Sequence, residues 1–171
     1  MNWLNHLASL SNVFEKMSFY FSNALNGTEA IVMLYALLMI SFHGLYFISI
    51  IKPFRRFIDY SSSLKFGLSE LLPFILIIFL VIFIHITDIF IFAYIIDSMH
   101  VFPDSITSFY FVGEMYTTVG YGNYPLPPQW KSLPMIIAFL GLFTFAISGS
   151  VLFSVLTYIV ADKQKKEKRV K

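Results

Sequence analysis

Apolar residues in this chain gather into three long runs. Ile31–Ile51 covers 21 residues without a formal charge and is broken only by Ser41, His43, Gly44 and Ser49. Leu71–Ile96 covers 26 residues with Asp88 as its one charged side chain, and Leu133–Val160 covers 28 with none. About 20 apolar residues in a helix cross the hydrocarbon of a bilayer, so the pattern predicts three spanning helices. A fourth apolar segment, Ser105–Tyr116, is too short to cross. It reads as a re-entrant helix, which a membrane tolerates only where protein or a water-filled cavity surrounds it. Before the first run, Trp3, Leu7, Leu10, Phe14, Met17, Phe21 and Leu25 recur every three or four residues. That period predicts an amphipathic helix lying in the outer interface. Asn26-Gly27-Thr28 fits the glycosylation pattern but reads as a turn before the first span.

Composition and charge sharpen this picture. Of 171 residues, 57% are hydrophobic and 13% charged, with 20 Phe and 10 Tyr; mean hydropathy is +0.73. An average soluble domain carries roughly 25% charge, so the excess excludes an ordinary soluble enzyme, a disordered tail and a small secreted module. The chain has no Cys, which removes disulfides, thiolate metal sites and cysteine nucleophiles. Ten of the 12 basic residues fall on one side of a three-span chain: Lys52, Arg55, Arg56 and Lys65 after the first span, and Lys163, Lys165, Lys166, Lys168, Arg169 and Lys171 in the tail. The excess of basic residues in cytoplasmic loops then predicts an external N-terminus and a cytoplasmic tail in the plasma or inner membrane. The organisation expected is an interfacial segment over 1–29, a first transmembrane helix over 30–51, a basic loop over 52–70, a unit over 71–160 and a basic tail over 161–171. Within that unit the outer helix takes 71–97, the short helix 104–116, a glycine-containing loop 117–122 and the inner helix 133–160.

The loop after the short helix carries the chemistry. It reads Thr117-Thr118-Val119-Gly120-Tyr121-Gly122-Asn123. Glycines at 120 and 122 open backbone angles closed to other residues, so successive carbonyls can turn toward one axis. A dehydrated monovalent cation needs such a cage of neutral oxygens. The loop resembles the selectivity filter of potassium channels, whose Thr-Val-Gly-Tyr-Gly carbonyls replace the ion's hydration shell. The resemblance covers about half the chain, from roughly Leu71 to Val160, and extends over Pro127-Pro128-Gln129-Trp130 to small bacterial ion-channel proteins with one extra N-terminal span. It implies an all-α integral membrane protein, a homotetramer around a central pore, and passive potassium conduction. Potassium ions would sit at Thr118, Val119, Gly120, Tyr121 and Gly122, mainly on backbone carbonyls, with the Thr118 hydroxyl available below them. Tyr121 would anchor the loop to aromatics of the short helix such as Tyr110 or Phe111. One filter segment per chain agrees with four chains around one ion path. A pore subunit of an active potassium-uptake complex and a non-conducting regulatory subunit are the rival readings, each expected to need other chains.

Glu114, Thr117 and Asn123 are the candidate filter supports. Some potassium channels pair a buried short-helix carboxyl with an Asp just after the filter; here that position is Asn123. Two readings stand: a protonated Glu114 bonded to Asn123 as a brace, or an exposed Glu114 adding negative potential at the mouth. Asp104 or Ser105 is placed to cap the short helix, whose C-terminal end would favour a cation in the cavity.

Intramembrane ionisable groups are costly and usually face protein or water. His85 and Asp88, at i and i+3, share a helix face. At about 1.5 Å per residue, His43 lies about 18 Å and His85 about 16 Å from the outer ends of their spans, so the three can form one polar cluster. Such a cluster either fixes helix packing or links the extra span to the core in a pH-sensitive way. Gly141 and Gly149 are candidate hinges of the inner helix, or small residues that allow close packing; Thr144 and Ser148 are candidates for the cavity wall. The basic tail suits anionic lipid. No phosphate loop, metal-ligand spacing or nucleophile–base pair is visible, so no enzyme, no cofactor and no nucleic-acid partner is expected.

Overall fold

A computed structural model describes residues 12–19, 27–63 and 71–170. Among them every regular element is helical. Residues 12–19 form α1 with all side chains exposed; the rest of the amphipathic stretch, 1–11 and 20–26, lies outside the described residues. The longer helices are α2 (Gly27–Ser63), α3 (Leu72–Ser98), α4 (Ser105–Tyr116) and α5 (Leu133–Val170), with a 3-10 turn at Pro128–Trp130. Gly27 and Thr28 belong to the first turn of α2, not to a turn before it.

Three helices are long and apolar enough to cross a membrane: Gly27–Ser61, Leu72–Ser98 and Pro128–Lys165. Two of them outrun their apolar sequence. α2 continues through Lys52, Arg55 and Arg56 to Ser63, where a loop was expected, and takes Pro53 within it. Proline costs α2 one hydrogen bond. Downstream, Ile58 is buried in the inner core cluster and Asp59 bonds Tyr158, so tertiary contacts hold this part of the helix. α5 likewise runs through the tail to Val170, a stretch rich in Lys, Glu and Gln, which are good helix formers.

α2 lies along α5. The Glu29 carboxylate accepts from the Ser132 backbone N–H at 2.9 Å, His43 Nε2 bonds Ser148 Oγ at 2.9 Å, and the Tyr158 hydroxyl donates to Asp59 at 2.9 Å. These pairs are separated by 103, 105 and 99 residues. A near-constant separation means that the two helices run in the same direction. The basic end of α2 and the basic end of α5 therefore sit together.

The core has two apolar clusters. One joins Val32, Phe92, Ile96, Phe111, Leu133 and Leu140; the other joins Phe47, Ile58, Ile77, Val81, Val151 and Val155. On every span buried polar residues fall between these sets, His43 on α2, His85 and Asp88 on α3, Thr144 and Ser148 on α5, while α2 buries Glu29 and Ser61 beyond them. The molecule is thus layered apolar, polar, apolar along its helices. Tyr116, at the end of α4, reaches into the polar layer.

Candidate functional site

The site is built on α4. Asp104 caps its start, accepting from the Thr107 backbone N–H at 2.8 Å and the Thr107 hydroxyl at 2.8 Å. The backbone bond to Thr107, and then the hydroxyl bond, hold the Asp104 carboxyl below its usual range. At its other end the helix turns directly into the 117–123 loop. Thr118 N–H donates to Met115 O, and Val119 N–H and Gly120 N–H both donate to Glu114 O at 2.9 and 3.3 Å. Gly122 N–H donates to Glu114 Oε2 at 2.7 Å.

Backbone angles explain how the loop can turn all these N–H groups one way. Thr118 has φ +59° and Gly120 has φ +56°; Val119 and Tyr121 between and after them do not enter the left-handed region. Alternating hands gather consecutive N–H groups on one side of the strand and leave the carbonyls on the other. No described residue donates to the carbonyls of Thr118, Val119, Gly120 or Tyr121. A left-handed Thr is uncommon, and the four N–H bonds back to α4 are what hold it there. Thr117 steadies the junction, its hydroxyl donating to Gly113 O at 2.7 Å.

Glu114 braces the loop, but not through Asn123. Its two carboxylate oxygens are taken by the Gly122 N–H and by the Tyr124 hydroxyl, the latter at 2.7 Å. A Cβ at position 122 would stand 2.7 Å from Glu114 Oε2 and run into the Tyr124 ring. Glycine is required there for the close approach, and Tyr124 supplies the donor expected of Asn123. Partial burial and then the bond to Glu114 push the Tyr124 phenol up to about 12, so it remains a donor across the physiological range. Phe111, 1% exposed, packs on Phe102 and Tyr124 rather than on Tyr121. Tyr121 itself is 80% exposed and makes no ring contact among the described residues.

Below the loop, Tyr116 is the hub of the polar layer. Its hydroxyl lies 2.8 Å from His85 Nδ1, 3.1 Å from Asp88 Oδ2 and 2.7 Å from Thr144 Oγ1. Asp88 Oδ2 also meets His43 Nδ1 at 2.9 Å, and the two imidazole centroids are 5.2 Å apart. The structure thus brings His43, His85 and Asp88 together and adds Tyr116, Thr144 and Ser148. A phenol has one proton and two lone pairs. With Asp88 accepting that proton, His85 Nδ1 carries hydrogen and donates to the phenol oxygen. Thr144 and Ser148, 0% and 1% exposed, face this network and not a cavity. Serine and threonine four residues apart share a helix face, and α2 and α4 cover it.

Gly141 has a use that the sequence alone does not separate from a hinge. A Cβ there would collide with the Tyr116 carbonyl, so its absence lets α5 touch the end of α4. Gly149 has nothing within 4 Å of a Cβ position. Tyr116 and Tyr124 were missed in the sequence; the available signal was a phenol placed immediately before and immediately after the glycine-containing loop.

Residues 74–158 match the model of a family described as ion channel. Comparison of the chain with curated proteins and with solved structures gives no match.

Proposed function

Because the chain belongs to the ion-channel family through residues 74–158, we propose that it is a potassium-selective channel whose pore is closed by four copies. The observation that carries this reading is the alternating backbone of the 118–121 loop. The N–H groups of Thr118, Val119, Gly120 and Gly122 are engaged by α4, and no described residue donates to the carbonyls of 118–121. Four such loops around an axis offer stacked rings of carbonyl oxygens that substitute for the hydration shell of a potassium ion. Conduction needs these oxygens to bind weakly enough for release, and the ring diameter is then set by the bonds behind it: Glu114 to the loop backbone, Tyr124 to Glu114, and Thr117 to Gly113. Exposed Tyr121 and Tyr110 belong to the faces that adjoining copies would cover. Thr118 would add its hydroxyl at the inner end, and the C-terminal end of α4 favours a cation approaching from below. Gly149 is the position for an inner-helix hinge. The N-terminus would face outward, with the basic ends of α2 and α5 on anionic lipid at the cytoplasmic surface of the plasma or inner membrane.

The test is flux from purified protein in potassium-loaded liposomes diluted into sodium, with a proton ionophore to carry the balancing charge. Potassium flux blocked by barium and lost in Gly120→Asp supports the reading. Equal sodium and potassium flux from the folded assembly would overturn selectivity.

A further inference from the structure

The buried polar layer holds more ligating atoms than its hydrogen bonds use. One nitrogen from each of His43 and His85 and one carboxylate oxygen of Asp88 lie within 4.8 Å of one another, and all three residues are buried. His85 Nε2 is buried without a hydrogen-bond partner. Asp88 engages both His43 and Tyr116 through Oδ2, and no described residue hydrogen-bonds its Oδ1. An imidazole lone pair and a carboxylate oxygen therefore stand unused beside a second imidazole. Both histidines also have a ring nitrogen against a hydroxyl, His43 Nε2 on Ser148 and His85 Nδ1 on Tyr116. That is the outer-shell arrangement of metal-ligating histidines, which give their other N–H to an acceptor and are thereby oriented.

We propose that His43, His85 and Asp88 form a binding site for a borderline divalent transition-metal ion of the zinc class. Two imidazoles and one carboxylate suit zinc, cobalt or nickel; magnesium and calcium prefer all-oxygen shells. Three protein ligands leave a fourth position open. No proton need leave the protein on binding. When the ion takes His43 Nδ1, the single ring proton sits on Nε2, where Ser148 Oγ accepts it. A groove of about 870 Å³ between α2 and α3, lined by Tyr35, Tyr46, Ser49 and Thr87 among apolar side chains, reaches His43 and Asp88. The bound ion would tie α2 to α3 and draw Asp88 away from Tyr116, at the base of the proposed ion path.

The measurement is metal binding to the purified full chain, read without any ion flux, so the potassium reading can fail while this one stands. Cobalt(II) should give a visible d–d band at one ion per chain that zinc abolishes and magnesium does not. Zinc should raise the unfolding temperature, since a ligand of the folded state stabilises it by mass action. His43→Gln or His85→Gln should weaken binding by about 100-fold or more, and Ser148→Ala by about tenfold; His6→Gln and His100→Gln should change nothing. X-ray absorption of the zinc-loaded wild type, independent of whether any variant folds, should show two imidazoles per zinc. No cobalt band, or binding that survives both ligand variants, or a zinc spectrum without imidazole scattering, would overturn the proposal.

Discussion

Tyr116 does the most of any single residue, because one hydroxyl joins α3, α4 and α5. Tyr116→Phe keeps the ring packing and leaves Asp88, His85 and Thr144 short of a partner. Stranding buried polar groups costs about 1–3 kcal/mol, and chemical or thermal unfolding of the solubilised protein should show a loss of that size. Glu114 and Tyr124 act behind the loop. Tyr124→Phe removes one of the two bonds to the Glu114 carboxylate, so on the proposed potassium-channel reading the currents should inactivate faster with selectivity intact; unchanged inactivation would show that Gly122 N–H suffices as the brace. Asp104 offers a pH test. Its folded pKa lies below the usual 3.8, so its cap stabilises α4 fully above that value and is lost as pH falls through the depressed folded one. Stability measured from pH 6 downward should therefore fall less in Asp104→Ala than in the wild type, the variant having no cap to lose. The Glu114 brace was only half legible in the sequence. The carboxyl was identifiable from its spacing to the loop, but its partner depends on which way the chain leaves Gly122, and that is settled by Tyr124 packing on Phe111 and Phe102.

Among the elements, α5 shows how two glycines of the same helix differ. Gly141→Ala drives a methyl into the Tyr116 carbonyl; such overpacking costs about 1–3 kcal/mol and should separate α5 from α4, lowering the unfolding temperature of the solubilised protein. Gly149→Ala meets open space and should gain up to about 1 kcal/mol of helix stability. If position 149 bends during gating, the same change lowers open probability in single-channel records. α2 extends past its apolar run for a reason that hydropathy does not contain. Hydropathy marks where lipid ends, whereas the helix ends where its backbone loses packing partners, and Ile58, Asp59 and Ser61 still have them.

At the scale of the whole molecule, α2 is a strut fixed to α5 at three heights. The parallel course of these helices places both basic ends on one side. With no native Cys, single cysteines can map this: Arg56→Cys and Lys163→Cys should react with an impermeant thiol reagent from the same face of the membrane, and Lys131→Cys from the opposite one. Labelling of Arg56→Cys and Lys163→Cys from different faces would contradict the α2–α5 pairing.

The sequence by itself determined the three spans, the short α4, the loop able to present carbonyls and the level at which His43, His85 and Asp88 lie. Each of these is a local property: run length, glycine placement, or depth counted at one helical rise per residue. Only the tertiary structure decided that α2 pairs with α5, that Thr144 and Ser148 face inward, and that Tyr116 and Tyr124 complete the polar networks. The reason is that helices in lipid are apolar around most of their circumference. Their sequence carries little amphipathic signal to fix rotation, and packing between helices is left to choose which face meets which neighbour.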